Sequence, residues 1–154
     1  MAILDGYDLV YVERIKTSQV VNINLHVGSR LPLYNTSLGR ALISDMPAEW
    51  LRGYIDTLMG VAAAKPYAQN DGENLLEIIR ETRERGYALN DQDLALGLRS
   101  IASPIRDKSR KTVAAINVAV PSARVSVVDL HRIHAPELLR ASAEISAALG
   151  FRRR

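Results

Sequence analysis

The sequence of 154 residues contains no cysteine. That excludes disulfides, thiolate nucleophiles and cysteine-based zinc sites together. No apolar run approaches the roughly 20 residues that span a bilayer. The opening MAILDGYDLVYVERI has neither a basic leader nor an apolar core, so it does not read as a signal peptide. A cytoplasmic protein with no membrane partner is expected. Enzyme signatures are missing too: there is no G-x-S-x-G elbow, no G-x-x-x-x-G-K loop and no G-x-G-x-x-G. Positive charge is thin. The formal net charge is +3, part of it in Arg152, Arg153 and Arg154, which read as a solvated tail. Without a basic stripe interleaved with aromatics, the chain alone is expected to bind DNA poorly.

What remains is an ordinary globular composition, 47% hydrophobic and 24% charged, sized for one domain. Asp5-Gly6 signals a turn after a short strand, and Leu9–Ile15 is rich in strand formers. Val21, Ile23, Leu25 and Val27 alternate with Asn22, Asn24 and His26, the period of a strand with one buried face. Leu31–Tyr34 is extended around Pro32. Asn35 and Thr36 can cap a short helix running to about Ser44. Pro47 opens a second helix that carries Leu51, Tyr54, Ile55 and Leu58 inward. A third, from about Gly72 to Arg85, turns Leu75, Leu76, Ile78, Ile79 and Thr82 inward and stops at Gly86. Tyr87–Asn90, Leu98–Ile105 and Val113–Val120 read as strands. Asp129–Leu149 reads as a helix with Leu138, Ser142, Ile145 and Leu149 on one stripe. Strands in runs, β-β-β-α-α-α-β-β-β-α, imply an α+β fold with an antiparallel sheet.

Few residues offer chemistry. His131, His134 and Glu137 have the spacing of metal ligands on a helix, but Pro136 interrupts that face and no fourth ligand is indicated, so no metal is expected. Asp91 and Asp93 read as solvated turn carboxylates rather than a catalytic pair. Asn117 stands in VAAINVAV, on one face with Val113, Ala115 and Ala119. A buried amide needs a hydrogen bond, which could come from neighbouring backbone or from a ligand in the space that Ala115 and Ala119 leave. The start of the helix after Thr36 offers the N–H groups of Ser37, Leu38 and Gly39, where the helix dipole favours an anion. From these residues alone, ordinary capping with a glycine for close packing explains as much.

Two stretches give this pattern a context. LPLYNTSLGRALIS is similar to a leucine-proline, small-polar, A/S-x-G-K/R-A-L pattern. GYALNDQDLALGLRSIASPIRDKSRKTVAAINVAVPSARVS is similar to a block reading R-G-Y-A, an acidic run, G-x-R-S-I-A-A-P-I-x-D and an apolar strand. Both are patterns of IclR-family transcription regulators, and ELLRASAEISAALG resembles that family's last helix. IKTSQVVNINLHVGSRLPLYNTSLGRALI further resembles regulators of aromatic-acid breakdown, whose ligands include protocatechuate, 4-hydroxybenzoate and β-ketoadipate.

The resemblance implies a GAF-like effector-binding domain over residues 1–154, with a curved antiparallel sheet between helices. It implies no catalytic residue and no cofactor. The partners it implies are a small carboxylate effector and further copies of the chain, in a homodimer or homotetramer. DNA would be bound through an N-terminal winged helix-turn-helix, which this sequence is expected to lack. Ile23 and Leu31 would line the pocket, with Ser37 and Leu38 presenting N–H groups to a carboxylate. Asn90, Ser100, Asn117 and Ala119 would complete it. The sequence departs from the pattern at Asn90, where Asp is common, at Ala119, and at VAVPSA, which lacks a glycine before the proline. A sensor of a small 2-oxo acid such as pyruvate or glyoxylate, and an oligomerisation domain with a vestigial pocket, are the alternatives.

Overall fold

Two long antiparallel strands form the spine of the sheet, and the computed structural model describes residues 1–15, 25–62 and 71–152 around them. They are β5 (Leu98–Arg106) and β6 (Thr112–Pro121). Before them in the chain come β1 (Ala2–Asp5), β2 (Asp8–Tyr11), β3 (Arg30–Pro32) and β4 (Ala88–Asp91). The six strands run in the spatial order β3-β2-β1-β6-β5-β4, each pair antiparallel. The helices are α1 (Ser37–Ile43), α2 (Ala48–Ala62), α3 (Asp71–Arg85), α4 (Val127–Asp129) and α5 (Ala135–Ala148). The α+β reading and its antiparallel sheet therefore hold.

Alternation along the strands sends side chains to two separate cores. Ala2, Leu9, Tyr11, Ala88, Ala102 and Ala115 face α1, α2 and α3, with Leu38, Leu42, Leu51, Tyr54, Leu75 and Ile79 packed over them. Ile101 and Val120 face the opposite way, toward Leu130, Ala135 and Leu138 of the C-terminal helices. Each fully buried leucine among these contributes about 2 kcal/mol of transfer free energy. Every residue of α1 is buried, because this helix lies on β5 and β6 and is covered by α3. Tyr7, Trp50 and Tyr54 pack ring on ring, with centroids 5.3–5.7 Å apart, and fasten α2 to the β1–β2 turn.

Several boundaries move from their expected places. The strand expected over Leu9–Ile15 ends at Tyr11, because β1 begins at Ala2 and offers no ladder further along. The alternating stretch around Ile23 lies outside the described residues, and Leu25 and His26 are not in a strand. Leu76 points outward, 44% exposed, although it was expected inside. On α5 the buried stripe is Leu138, Ser142 and Ser146, whereas Ile145 and Leu149 face outward. The serines are inside because they have partners. Ser142 Oγ lies 2.8 Å from Ser103 Oγ, and Ser146 Oγ accepts the Arg106 N–H at 3.0 Å. The last helix also starts earlier, at Val127, with Ser126 as its cap, and passes through a π-helical turn, Leu130–His134. Pro136 has no N–H for the α-helical ladder, and the Ala135 N–H reaches back to the Leu130 carbonyl instead. Among the described residues no helix is long and apolar enough to cross a membrane.

Candidate ligand-binding site

Register decides which of the expected residues meet. Asn90, Ser100 and Ala119 stand opposite one another across β4, β5 and β6. Ala88, Ala102 and Asn117 form the next row on the same face. This face carries α1, and the helix start sits directly on the first row: Ser37 Oγ lies 2.8 Å from Ser100 Oγ. Leu38, 1% exposed, packs into the core beside it. Asn117 is half-buried, and its side chain has no hydrogen-bond partner among the described residues. Ala119 is half-buried as well. Leu31 shares the face but sits on β3, separated from β6 by β2 and β1. Ile23 lies outside the described residues.

The start of α1 is built tightly. Thr36 Oγ1 accepts the Gly39 N–H at 3.0 Å and donates to the Pro32 carbonyl at 3.0 Å, so the cap also ties the helix to β3. Gly39 is required here, since a Cβ on it would overlap the Leu33 backbone. The cap uses the Gly39 N–H, and the Ser37 and Leu38 N–H groups have no acceptor among the described residues.

Asn90 is the most demanding residue in the row. It is 1% exposed, and its Nδ2 donates to the Asn35 carbonyl at 2.6 Å. That bond fixes which end of the carboxamide is nitrogen, and leaves Oδ1 buried without a partner among the described residues. Among the same residues Asn35 Oδ1 is buried and unpartnered too. A buried acceptor left without a donor costs about 1–3 kcal/mol. Among the described residues the site therefore holds two buried acceptors without donors and, at the start of α1, two N–H groups without acceptors.

Sequence reasoning missed Asn35 and Arg40. Asn35 was read only as a capping residue. Arg40 was read only as part of a motif, yet a charge inside a wholly buried helix must be paired. Its Nη2 lies 2.8 Å from Asp93 Oδ2, its Nε donates to the Tyr34 carbonyl at 2.8 Å and its Nη1 to the Leu89 carbonyl at 2.7 Å. The carboxylates read as solvated are thus both paired, since Asp91 Oδ1 lies 2.6 Å from Arg99 Nε. His131 faces the other core, where its Nδ1 lies 2.6 Å from the Tyr87 hydroxyl. Among the described residues no three acidic or histidine side chains are grouped to hold a metal ion.

One antiparallel sheet with helices packed on both faces places the molecule in the α+β class. The chain belongs to the family of bacterial transcriptional regulator IclR C-terminal domains, whose model matches residues 1–147. It is 38% identical over 146 residues to the Pca regulon regulatory protein of Pseudomonas putida, covering 94% of this chain and 50% of that protein. A crystal structure described as a transcriptional regulator from Rhodococcus sp. RHA1 superposes with a TM-score of 0.84 at 37% identity, covering 96% of this chain and 59% of that one. The inducer-binding domain of the PobR transcription factor from Acinetobacter, solved as a double mutant with 3-hydroxybenzoic acid, gives 0.78 at 27% identity, covering 94% and 85%. These relatives are regulators of transcription rather than enzymes. The chain spans about half the length of the curated relative it matches at 38% identity.

Proposed function

We propose that this domain senses a small hydroxylated aromatic carboxylate. Its occupancy would control DNA binding by a winged helix-turn-helix segment, in a homodimer or homotetramer. The carboxylate would take the Ser37 and Leu38 N–H groups with the Ser100 hydroxyl beside them, at the positive end of α1. Asn117 and Ala119 would line the same face.

The observation that carries the reading is the buried, unpartnered Asn90 Oδ1. Its orientation is set by the bond to Asn35, so it can only accept. A phenolic hydroxyl supplies the missing donor, whereas the keto form of pyruvate has none. Two relatives support the aromatic class: one regulates a Pca regulon, and the other was crystallised with a hydroxybenzoic acid.

A thermal-shift series tests this, because a ligand that binds only the folded state stabilises it by about 2.7 kcal/mol at a hundred times its Kd. Protocatechuate, 3-hydroxybenzoate and 4-hydroxybenzoate should raise Tm at millimolar concentration, benzoate less, and pyruvate not at all. A larger shift with pyruvate than with any hydroxybenzoate would sink the hydroxyl assignment. No shift with any of these acids would sink the reading as a whole and leave a domain that only assembles.

A further inference from the structure

The unpaired acceptor of Asn90 is useful only if it is held still, and the structure assigns that task to Arg40. We infer that Arg40 is a positioning residue: it never touches ligand but fixes both segments from which the acceptor is built. The inference rests on the site proposed above.

The geometry is specific. Arg40 bonds the carbonyls of Tyr34 and Leu89. These residues immediately precede Asn35 and Asn90, and Asn35 in turn accepts the Asn90 amide. A peptide unit is planar from one Cα to the next, so pinning the Tyr34 carbonyl sets the Cα of Asn35. Pinning the Leu89 carbonyl sets the Cα of Asn90 in the same way. One guanidinium thereby bridges the turn before α1 and the outer strand β4, one residue upstream of the contact that aims the carboxamide. Its third nitrogen pairs with Asp93 in the loop after β4, so all three segments share a single anchor. The Arg40 side chain is 7% exposed, and the planar fork of its guanidinium is the feature a lysine lacks. Lysine could keep the charge and the Asp93 pair, but as a point donor it cannot span two carbonyls and a carboxylate.

Arg40→Lys tests this in the whole 154-residue chain, with two readouts. The first needs no ligand: hydrogen exchange of the Asn90 side-chain amide, followed by NMR. It should rise at least tenfold in R40K. The second is the Kd for 3-hydroxybenzoate by calorimetry, which should weaken at least tenfold. Arg106→Lys, which alters an ion pair away from this row, is the control for general loss of stability and should move neither readout by more than threefold at a comparable change in Tm. A folded R40K with Asn90 exchange like the wild type overturns the inference, as does a matching change in R106K. If R40K does not fold, the wild type decides. The Arg40 Nε–H and Asn90 Nδ2–H must then gain exchange together in denaturant below the global transition, and independent opening overturns the inference. Failure of wild type to bind 3-hydroxybenzoate counts against the proposed ligand class, while the exchange readout still decides the role of Arg40.

Discussion

Gly39 sits in a helix, where alanine would normally be favoured by about 1 kcal/mol. Here the sign reverses, because the added carbon would collide with the Leu33 backbone, which has no free end to swing away. Gly39→Ala should lower stability by roughly 1–3 kcal/mol, the usual cost of overpacking, read as a lower urea midpoint at unchanged m-value. A neutral or stabilised G39A would mean that α1 can lift from β3. At Asn117 the expected change is functional. Asn117→Leu removes an amide that has no partner among the described residues, so stability should hold while the thermal shift from a hydroxybenzoate disappears; an unchanged shift would remove Asn117 from the site. These positions show what is legible residue by residue. Asn117 and Gly39 could be singled out from local pattern, because a strand has period two and a capped helix start has a fixed geometry. Arg40 and the carbonyl of Asn35 could not. Their partners, Asp93, Leu89 and Asn90, lie 49 to 55 positions away in the chain, and no local period carries that pairing.

Among elements, α2 and α3 were legible because each carries an apolar face at helical spacing, and β6 because it is a nearly unbroken apolar run. One error falls where polar partners outweigh hydrophobic period. On α5 the expected stripe through Ile145 and Leu149 gives way to one through Ser142 and Ser146. Ser142 meets Ser103, which also donates to the Gly86 carbonyl at 3.1 Å. Ser142→Ala should therefore cost about 1 kcal/mol, and the S103A/S142A pair less than the sum of the singles. Full additivity in chemical denaturation would show that the two hydroxyls are not coupled. The turn after α1 is held differently. Asp45 accepts from Arg106 through both oxygens, at 2.6 and 2.9 Å, and from Thr112 at 2.6 Å. Burial pushes its carboxyl upward, but these bonds outweigh burial and hold it below the ordinary carboxylate range. A carboxylate depressed in the folded state adds stability above its unfolded pKa and loses it as the pH falls through the folded one. Asp45→Asn should thus lower stability at neutral pH and flatten the acid limb of the stability curve. An acid limb as steep as in the wild type would exclude Asp45 as its source.

At the scale of the whole molecule, charge and layering matter most. With a formal net charge of +3 over 154 residues, the domain by itself should show no sequence-specific affinity for DNA at physiological salt. Fluorescence anisotropy with an operator fragment would reveal any such affinity as salt-resistant binding. Burial of α1 along its whole length has a further consequence. A helix with no exposed side should not fray independently, so its hydrogen-bonded amides, Arg40 to Ile43, should exchange with solvent only when the domain opens globally. Their exchange rate is then a gauge of the total unfolding free energy. A bound effector raises that free energy in proportion to the logarithm of its concentration. The protection of these few amides would thus record how full the site is, even for a ligand that leaves the backbone unmoved.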